Sequence, residues 1–294
     1  MLIPNTCAVV VTYHPEASVL EHLSSLRSQA DGLVVVDNAS GLATLELLRR
    51  ESETLNFRLI ESSQNLGVAA ALNTGIRWAI ENKFQWVALF DQDSTIPEGY
   101  LDAMHLCVAS AEDPGRIAIV APQYRDPLED GLYMSRFAAE DGAPLEVMTS
   151  GSLLPTWIFE KCGWFDEAFF IDQVDHEFCF RVRKCGYRVQ LCESAVIDHL
   201  PGSSRTHKLF GLKSVTLTDH SAGRRYYQTR NGLILARRYR ERYPQWSRAT
   251  RKSLLWSSPL AILFAESQRW KKLTYVARGV LDAYLGKMGR QVDV

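Results

Sequence analysis

Short β-branched runs alternate with longer segments of helical period through the first third of the chain. Ala8 to Thr12 (AVVVT) predicts a buried strand, and Leu33 to Val36 predicts a second, ending at Asp37-Asn38. Between them, the Ala17 to Ser28 segment reads as an amphipathic helix after a loop at Pro15. Leu42 to Glu53 is helical in pattern, Phe57 to Glu61 is a third strand, and Gly67 to Asn82 is a helix with Ala69, Ala70, Leu72, Ile76 and Ile80 near one face. The strand Trp86 to Phe90 follows. Strand-helix alternation predicts a mostly parallel sheet covered on both faces, an α/β fold. Such sheets bind ligands at the carboxyl ends of their strands. Thr12-Tyr13, Asp37-Asn38 and Asp91-Gln92-Asp93 all fall at those ends, so the pattern predicts that they converge on one crevice.

Beyond Pro97 the pattern mixes. Tyr100 to Ala109 predicts a helix and Ile117 to Ala121 a strand, while Arg125 to Pro144 reads as a surface loop. Met148 to Leu154 and Val189 to Ile197 predict strands, and Glu177 to Cys185 predicts a helix ended by Gly186. Ser203 to Gly223 is polar and reads as a mobile loop. Tyr226 to Tyr239 and Arg248 to Leu285 look helical, with a break or kink at Pro259. The expected division is an α/β domain over 1–215 and a helical C-terminal region over 216–294.

Charge sharpens that division. The formal net charge is −1, but from Arg224 onward there are 16 Lys/Arg against 4 Asp/Glu, leaving 17 against 30 before it. A basic end on an acidic body suits a diphosphate, an anionic lipid or a nucleic acid, or simply packs on the body itself. The six cysteines form no Cys-x-x-Cys pair and read as reduced core thiols of a cytoplasmic protein. No signal peptide is predicted in Met1 to Val11, and Leu254 to Ala265 is too short and too interrupted for a membrane span.

The chemistry-bearing residues follow. Asp91 and Asp93 leave a strand end on the same side, as i and i+2 do in extended chain. Paired carboxylates suit a hard divalent cation that also holds a diphosphate; the structural alternative is a polar turn. Asp37 can accept a hydrogen bond from a pyrimidine N3–H, while Asn38 or Ser40 can cap a helix. Gln64 to Gly75 opens a helix with small residues and free N–H groups. The small residues of Thr149-Ser150-Gly151-Ser152 can leave space beside a substrate, but on this stretch alone they read as an ordinary turn. Asp172, Asp175 and Glu177 sit among aromatics before a helix, where a carboxylate can serve as general base. Helix capping and an acidic first turn compete with that role for Asp172 and Glu177, and Glu177 with Arg181 is an i,i+4 ion pair in the making. His199, beyond a strand end, can complete a metal site begun by Asp93, or be structural or merely exposed. Arg230, helped by Arg224 or Arg225, can clamp a phosphate, or lie on a solvated helix face.

In order along the chain, AVVVTY, VVDNAS, QNLGVAAALNTGI, ALFDQDS, the SGS turn, FFIDQVDHEFCFRVRKCGY, DHLPG and YYQTRN resemble the inverting family 2 glycosyltransferases of the GT-A fold, and among them the bacterial rhamnosyltransferases. The matching residues run from Ala8 to Asn231. The resemblance implies a GT-A catalytic domain that binds a nucleotide-sugar and an acceptor. It implies that Thr12, Tyr13 and Asp37 line a nucleobase pocket, and that Asn65, Gly67 and Asn73 shape the nucleoside side. Asp91 would reach the ribose or a metal-bound water, and Asp93 would ligate Mg²⁺ or Mn²⁺ with His199. Asp175 would be the base, although Val174 stands where the family often has Glu. The implied reaction is transfer of L-rhamnose from dTDP-β-L-rhamnose to a glycan or lipid-linked acceptor in lipopolysaccharide or capsule assembly. A UDP-sugar donor, a sugar-1-phosphate nucleotidylyltransferase and a non-catalytic binder are the alternatives. The basic end, with Trp246, Trp256, Phe264 and Trp270, suits either an anionic membrane surface or a homo-oligomer contact.

Overall fold

The computed structural model describes residues 5–126, 131–133, 135–198, 204–209 and 213–293. Backbone packing divides the chain into two units, Met1–Asp166 with Asp175–His199, and Glu167–Val174 with Leu200–Val294.

The first unit is built on one eight-stranded sheet. Its elements are β1 (Thr6–Thr12), α1 (Val19–Gln29), β2 (Gly32–Asp37), α2 (Leu42–Thr54), β3 (Arg58–Glu61), α3 (Val68–Glu81), β4 (Trp86–Asp91) and α4 (Tyr100–Ala109). They continue with β5 (Ile117–Asp126), β6 (Gly131–Tyr133), β7 (Leu153–Pro155), α5 (Ile158–Cys162), α6 (Val174–Lys184) and β8 (Arg188–Asp198). The strand order is β3-β2-β1-β4-β7-β5-β6, with β8 beside β5. β1 to β4 are parallel, β7 runs against both β4 and β5, and β8 is parallel to β5. All seven residues of β1 are buried, as a strand covered on both faces requires. Ala8, Val10, Val35 and Phe90 share one apolar cluster with Leu23 and Leu26 of α1 and Met104 of α4. The opposite face meets α3 closely. A Cβ added at Gly75 would stand 2.4 Å from Val9 Cγ1 and 3.2 Å from Val36 Cγ2, so only glycine permits this approach.

The predicted strands and helices of the first hundred residues appear within a few residues of their expected ends. Later segments differ. The predicted strand Met148 to Leu154 is reduced to its last two residues, which with Pro155 form β7; the preceding residues form a turn with Gly151 at φ +81°. β5 extends to Asp126, into the segment expected to be loop, and β6 pairs with it.

The second unit holds β9 (Ser204–Leu209), β10 (Lys213–Thr218), α7 (Ala222–Arg238), α8 (Pro244–Lys252), α9 (Ser258–Ala265) and α10 (Arg269–Leu285). The segment expected to be a mobile loop is instead largely an antiparallel pair, β9 with β10. Alternating Val215, Thr216, Leu217 and Thr218 was the strand signal there. Pro259 does not break the helix. A π-helical turn over Ser253–Ser257 leads into α9, whose first turn tolerates the missing N–H. The break comes at Glu266, which is extended. α7 and α10 pack so tightly that a Cβ at Gly279 would lie 2.8 Å from the Tyr226 carbonyl oxygen. The boundary expected between 215 and 216 also moves. The second unit begins earlier and takes in the loop Glu167–Val174, because α7 side chains bind that loop's carbonyl groups.

Candidate active site

The sheet register brings the first three clusters together. Thr12 pairs with Asp37 across β1 and β2, and Val11 pairs with Asp91 across β1 and β4. The Thr12 hydroxyl donates to Asp37 Oδ2 at 3.0 Å. The Ser40 backbone N–H donates to Oδ1 at 2.8 Å, and its hydroxyl to Oδ2 at 2.5 Å. Asp37 is fully buried. Its carboxylate therefore organises the turn after β2. Tyr13 is the more accessible group, 42% exposed, with its N–H donating to Gln92 Oε1 at 2.8 Å.

The loops after β2 and β3 are joined by amides. Asn38 donates to Asn65 Oδ1 at 3.0 Å, that oxygen accepts the Gly67 N–H at 2.9 Å, and Asn38 Oδ1 accepts the Leu66 N–H at 2.9 Å. Gly67 precedes α3 at φ +90°, a conformation costly to any residue with a Cβ. Asn73 is fully buried and trades two 3.0 Å hydrogen bonds with the backbone of Phe165. It latches α3 to that loop and does not shape a nucleoside pocket as expected.

Asp91 is half-buried at the end of β4 and Asp93 is exposed in the turn beyond it. This turn rests on the Ser-Gly-Ser segment and on two tyrosines, Tyr100 and Tyr124, that the sequence pattern did not single out. The Asp91 N–H donates to Ser150 Oγ at 3.1 Å, and the Ser94 and Ser150 hydroxyls lie 2.5 Å apart. Buried Tyr100 donates to the Gly151 carbonyl at 2.6 Å. Buried Tyr124 donates to the carbonyls of Ser150 at 2.8 Å and Met148 at 3.0 Å. The Ser-Gly-Ser segment, expected to be an ordinary turn, is thus wired to the aspartate pair. Burial pushes the Tyr124 phenol well above its usual value against an opposing hydrogen bond with Ser152, and the charges of Asp175 and Asp91 add smaller upward pushes. His22, buried on α1, is lowered to about 4 by burial against the pull of Asp93 and the Asp91 carbonyl. His199 lies outside the described residues. Among the described residues, no group of three or more His, Cys, Asp and Glu side chains is disposed to hold a metal.

The three acids near α6 have different surroundings. Glu177 is buried and held by Arg181 at 2.7 Å, while Arg181 also donates to the carbonyls of Cys162 and Trp164. Asp172, in the second unit, has φ +61° and is paired with Arg224 at 2.7 Å. Both are spent on structure, which corrects their expected candidacy as base. Asp175 is half-buried, and the His176 N–H donates to its Oδ1 at 2.8 Å. It lines a small pocket of the first unit whose other walls include Met148, Leu154, Phe165 and Phe178. A carboxylate beside apolar walls has the makings of a proton acceptor.

Arg230 departs furthest from expectation. Its side chain is fully buried in the second unit. Its guanidinium donates to the carbonyls of Gly289 at 2.6 Å and Phe169 at 3.3 Å and to Asn231 Oδ1 at 2.8 Å, with the Tyr227 ring 4.9 Å away. It braces the fold and has no face to offer a phosphate. Asn231 joins it, donating to the carbonyls of Phe169, Ile171 and Asp172.

The chain matches the family described as Glycosyl transferase family 2 over residues 7–165. It is 30% identical over 249 residues to the dTDP-rhamnosyl transferase RfbF of Shigella flexneri, covering 80% of each chain. The fold is similar to TarS 1-349 of S. aureus in complex with UDP-GlcNAc, with a TM-score of 0.62, 15% identity, and coverage of 95% of this chain and 81% of that one. It is also similar to the mannosyltransferase PcManGT from Pyrobaculum calidifontis in complex with GDP-Man and Mn²⁺, with a TM-score of 0.57, 18% identity, and coverage of 96% and 75%. The architecture is that of the GT-A glycosyltransferases.

Proposed function

The chain belongs to glycosyl transferase family 2, and from that premise we propose that it transfers L-rhamnose from dTDP-β-L-rhamnose, with inversion, to a hydroxyl of a glycan or lipid-linked acceptor in the assembly of bacterial cell-surface polysaccharide. The rhamnosyl donor is favoured by the 30% identical dTDP-rhamnosyl transferase, aligned over most of both chains. The observation that carries the catalytic reading is the turn before β7, whose Ser150 hydroxyl accepts the Asp91 N–H while its Met148, Thr149 and Ser152 line the pocket that Asp175 enters. Acids from the end of β4 and the first turn of α6 thus attend one locality of the first unit.

Asp91 and Asp93 fit a divalent cation. Two oxygen-donor side chains with one residue between them, one exposed, leave most of the coordination shell to diphosphate and water, as Mg²⁺ and Mn²⁺ accept. Such a cation, when bound, stabilises negative charge on the diphosphate. The Mn²⁺ complex of the archaeal mannosyltransferase of similar fold is consistent with this. Tyr13 offers an exposed ring at the end of β1 to stack on the base. Asp175 takes the proton from the acceptor hydroxyl. That oxygen bonds to the anomeric carbon from the face opposite the diphosphate, the carbon–oxygen bond to the diphosphate breaks, and dTDP departs with the bonding pair. The reaction is placed in the cytoplasm.

A donor panel with Mg²⁺ or Mn²⁺ tests the substrate: dTDP-rhamnose turns over fastest, and a faster UDP-sugar overturns the donor assignment. Asp175→Asn tests the base. It retains donor affinity in calorimetry and loses transfer by about 10²–10⁴-fold, the usual contribution of a positioned base. Normal turnover by that variant removes Asp175 from the mechanism.

A further inference from the structure

The C-terminal helices of the second unit expose apolar side chains that nothing among the described residues of the unit covers. Along the π-helical turn and α9, Trp256 is 69% exposed, Leu260 52% and Phe264 74%. They recur every fourth residue, continuing from exposed Lys252, and so follow one side of the helix. α10 carries a second stripe. Trp270 is 71% exposed, Leu281 55% and Tyr284 82%, with exposed Thr274 and Ala277 between them at spacings of three and four. Large aromatics this exposed are unusual on a surface that meets only water.

The charge around these stripes has one sign. Residues 244–290 contain nine Lys/Arg and two carboxylates, Glu266 and Asp282. Both carboxylates are turned inward. The Glu266 side chain is 1% exposed and bound by Arg225 and Lys272. The Asp282 side chain is 4% exposed and bound by Tyr226, Arg278 and Lys287. Arg248, Arg251, Lys252, Arg269 and Lys271 remain exposed. The outer surface of these helices therefore combines aromatics with cations and presents no exposed carboxylate.

We propose that this surface docks on an anionic lipid bilayer, with Trp256, Phe264 and Trp270 seated at the headgroup level and the neighbouring arginines and lysines against the acidic headgroups. Aromatic rings favour that depth, and basic residues beside them are drawn to anionic leaflets. The helices lie on the membrane. Among the described residues, no helix is long and apolar enough to cross it. A second copy of the chain is the weaker occupant, because a two-fold contact sets this cationic surface against itself. The proposal is independent of the donor reading and needs no substrate to test.

The full chain is sedimented with vesicles of phosphatidylglycerol and phosphatidylethanolamine, and separately with phosphatidylcholine vesicles. It binds the anionic vesicles, binds the neutral ones weakly, and is released as salt screens the headgroups. Trp256→Ser with Phe264→Ser weakens binding by about tenfold or more, because the inserted apolar area is lost. Arg251→Glu with Lys252→Glu does the same while leaving the aromatics in place. All four residues are exposed, so circular dichroism of both variants matches the parent. Light scattering supplies the opposing arm. Absence of binding to anionic vesicles overturns the proposal, as does a parent dimer that the aromatic variant converts to monomer without any change in vesicle binding.

Discussion

A buried guanidinium persists only where its N–H groups find acceptors, and Arg230 has carbonyl oxygens of Gly289, Phe169 and Ala168 together with Asn231 Oδ1. Truncation leaves those acceptors unpaired in a closed site and opens a cavity between Tyr226 and Tyr227. Arg230→Ala is expected to lower stability by about 2–4 kcal/mol, read as a shift in the urea midpoint. The folded fraction keeps its donor KM. A raised KM at unchanged stability is the result expected of a phosphate clamp, and it would reverse the structural assignment. Glu177 was legible by contrast, because its partner Arg181 lies one helical turn away and i,i+4 pairing can be counted along the sequence. Arg230 was not, since its acceptors come from loops about sixty residues to either side. An arginine in a basic, polar segment looks exposed until tertiary structure closes over it.

At the scale of elements, the turn Thr149–Ser152 joins β4 to buried Tyr100 and Tyr124, and its two serines do different work. Ser150 accepts the Asp91 N–H and meets Ser94, whereas Ser152 donates to the Met148 carbonyl at 2.7 Å and reaches Tyr124, not Asp91. Each hydroxyl is buried, so Ser150→Ala and Ser152→Ala should each cost about 1–2 kcal/mol in urea denaturation. Only Ser150→Ala also raises the donor KM, because it alone frees the backbone at Asp91. Equal kinetics for the two variants would sever this turn from the aspartate pair. Much of the fold could be read beforehand for a simple reason. β1, β2 and β4 are covered on both faces and announce themselves as continuous Val, Leu and Ala runs. β7 has three residues and β9 is a polar strand, and neither length nor hydrophobicity marks such elements. The convergence of Thr12, Asp37 and Asp91 followed from parallel topology alone. Tyr124 and Ser94 carried no pattern, since a hydroxyl's partners depend on turns whose geometry only the folded chain defines.

Across the whole molecule, three histidines are set to make the fold acid-sensitive. Burial lowers His22 and His220 to about 4, with Arg224 and Arg225 adding to the effect at His220, and burial lowers His105, which shares a 2.7 Å hydrogen bond with Thr6. In the unfolded chain these rings titrate near the ordinary histidine value of about 6.5. Between that pH and the folded values the unfolded state binds more protons, so stability rises with pH through the window and falls on acidification. Below it a second group acts in the same direction. The hydrogen bond from Arg49 holds Glu61 below its ordinary value, and that from Arg125 does the same for Asp198. Their stabilisation is present above the unfolded carboxylate values and is lost as pH drops through the folded ones. The urea midpoint should therefore decline steadily from about pH 7 to about pH 5, before any carboxylate protonates appreciably. His220→Gln and His105→Gln should each flatten that decline, with the midpoints of parent and variants drawing closer as pH falls. A midpoint that holds constant to about pH 5 and collapses only below it would assign acid lability to the carboxylates alone. It would also mean that these imidazoles take up protons in place at little cost, against the burial that disfavours their charged form.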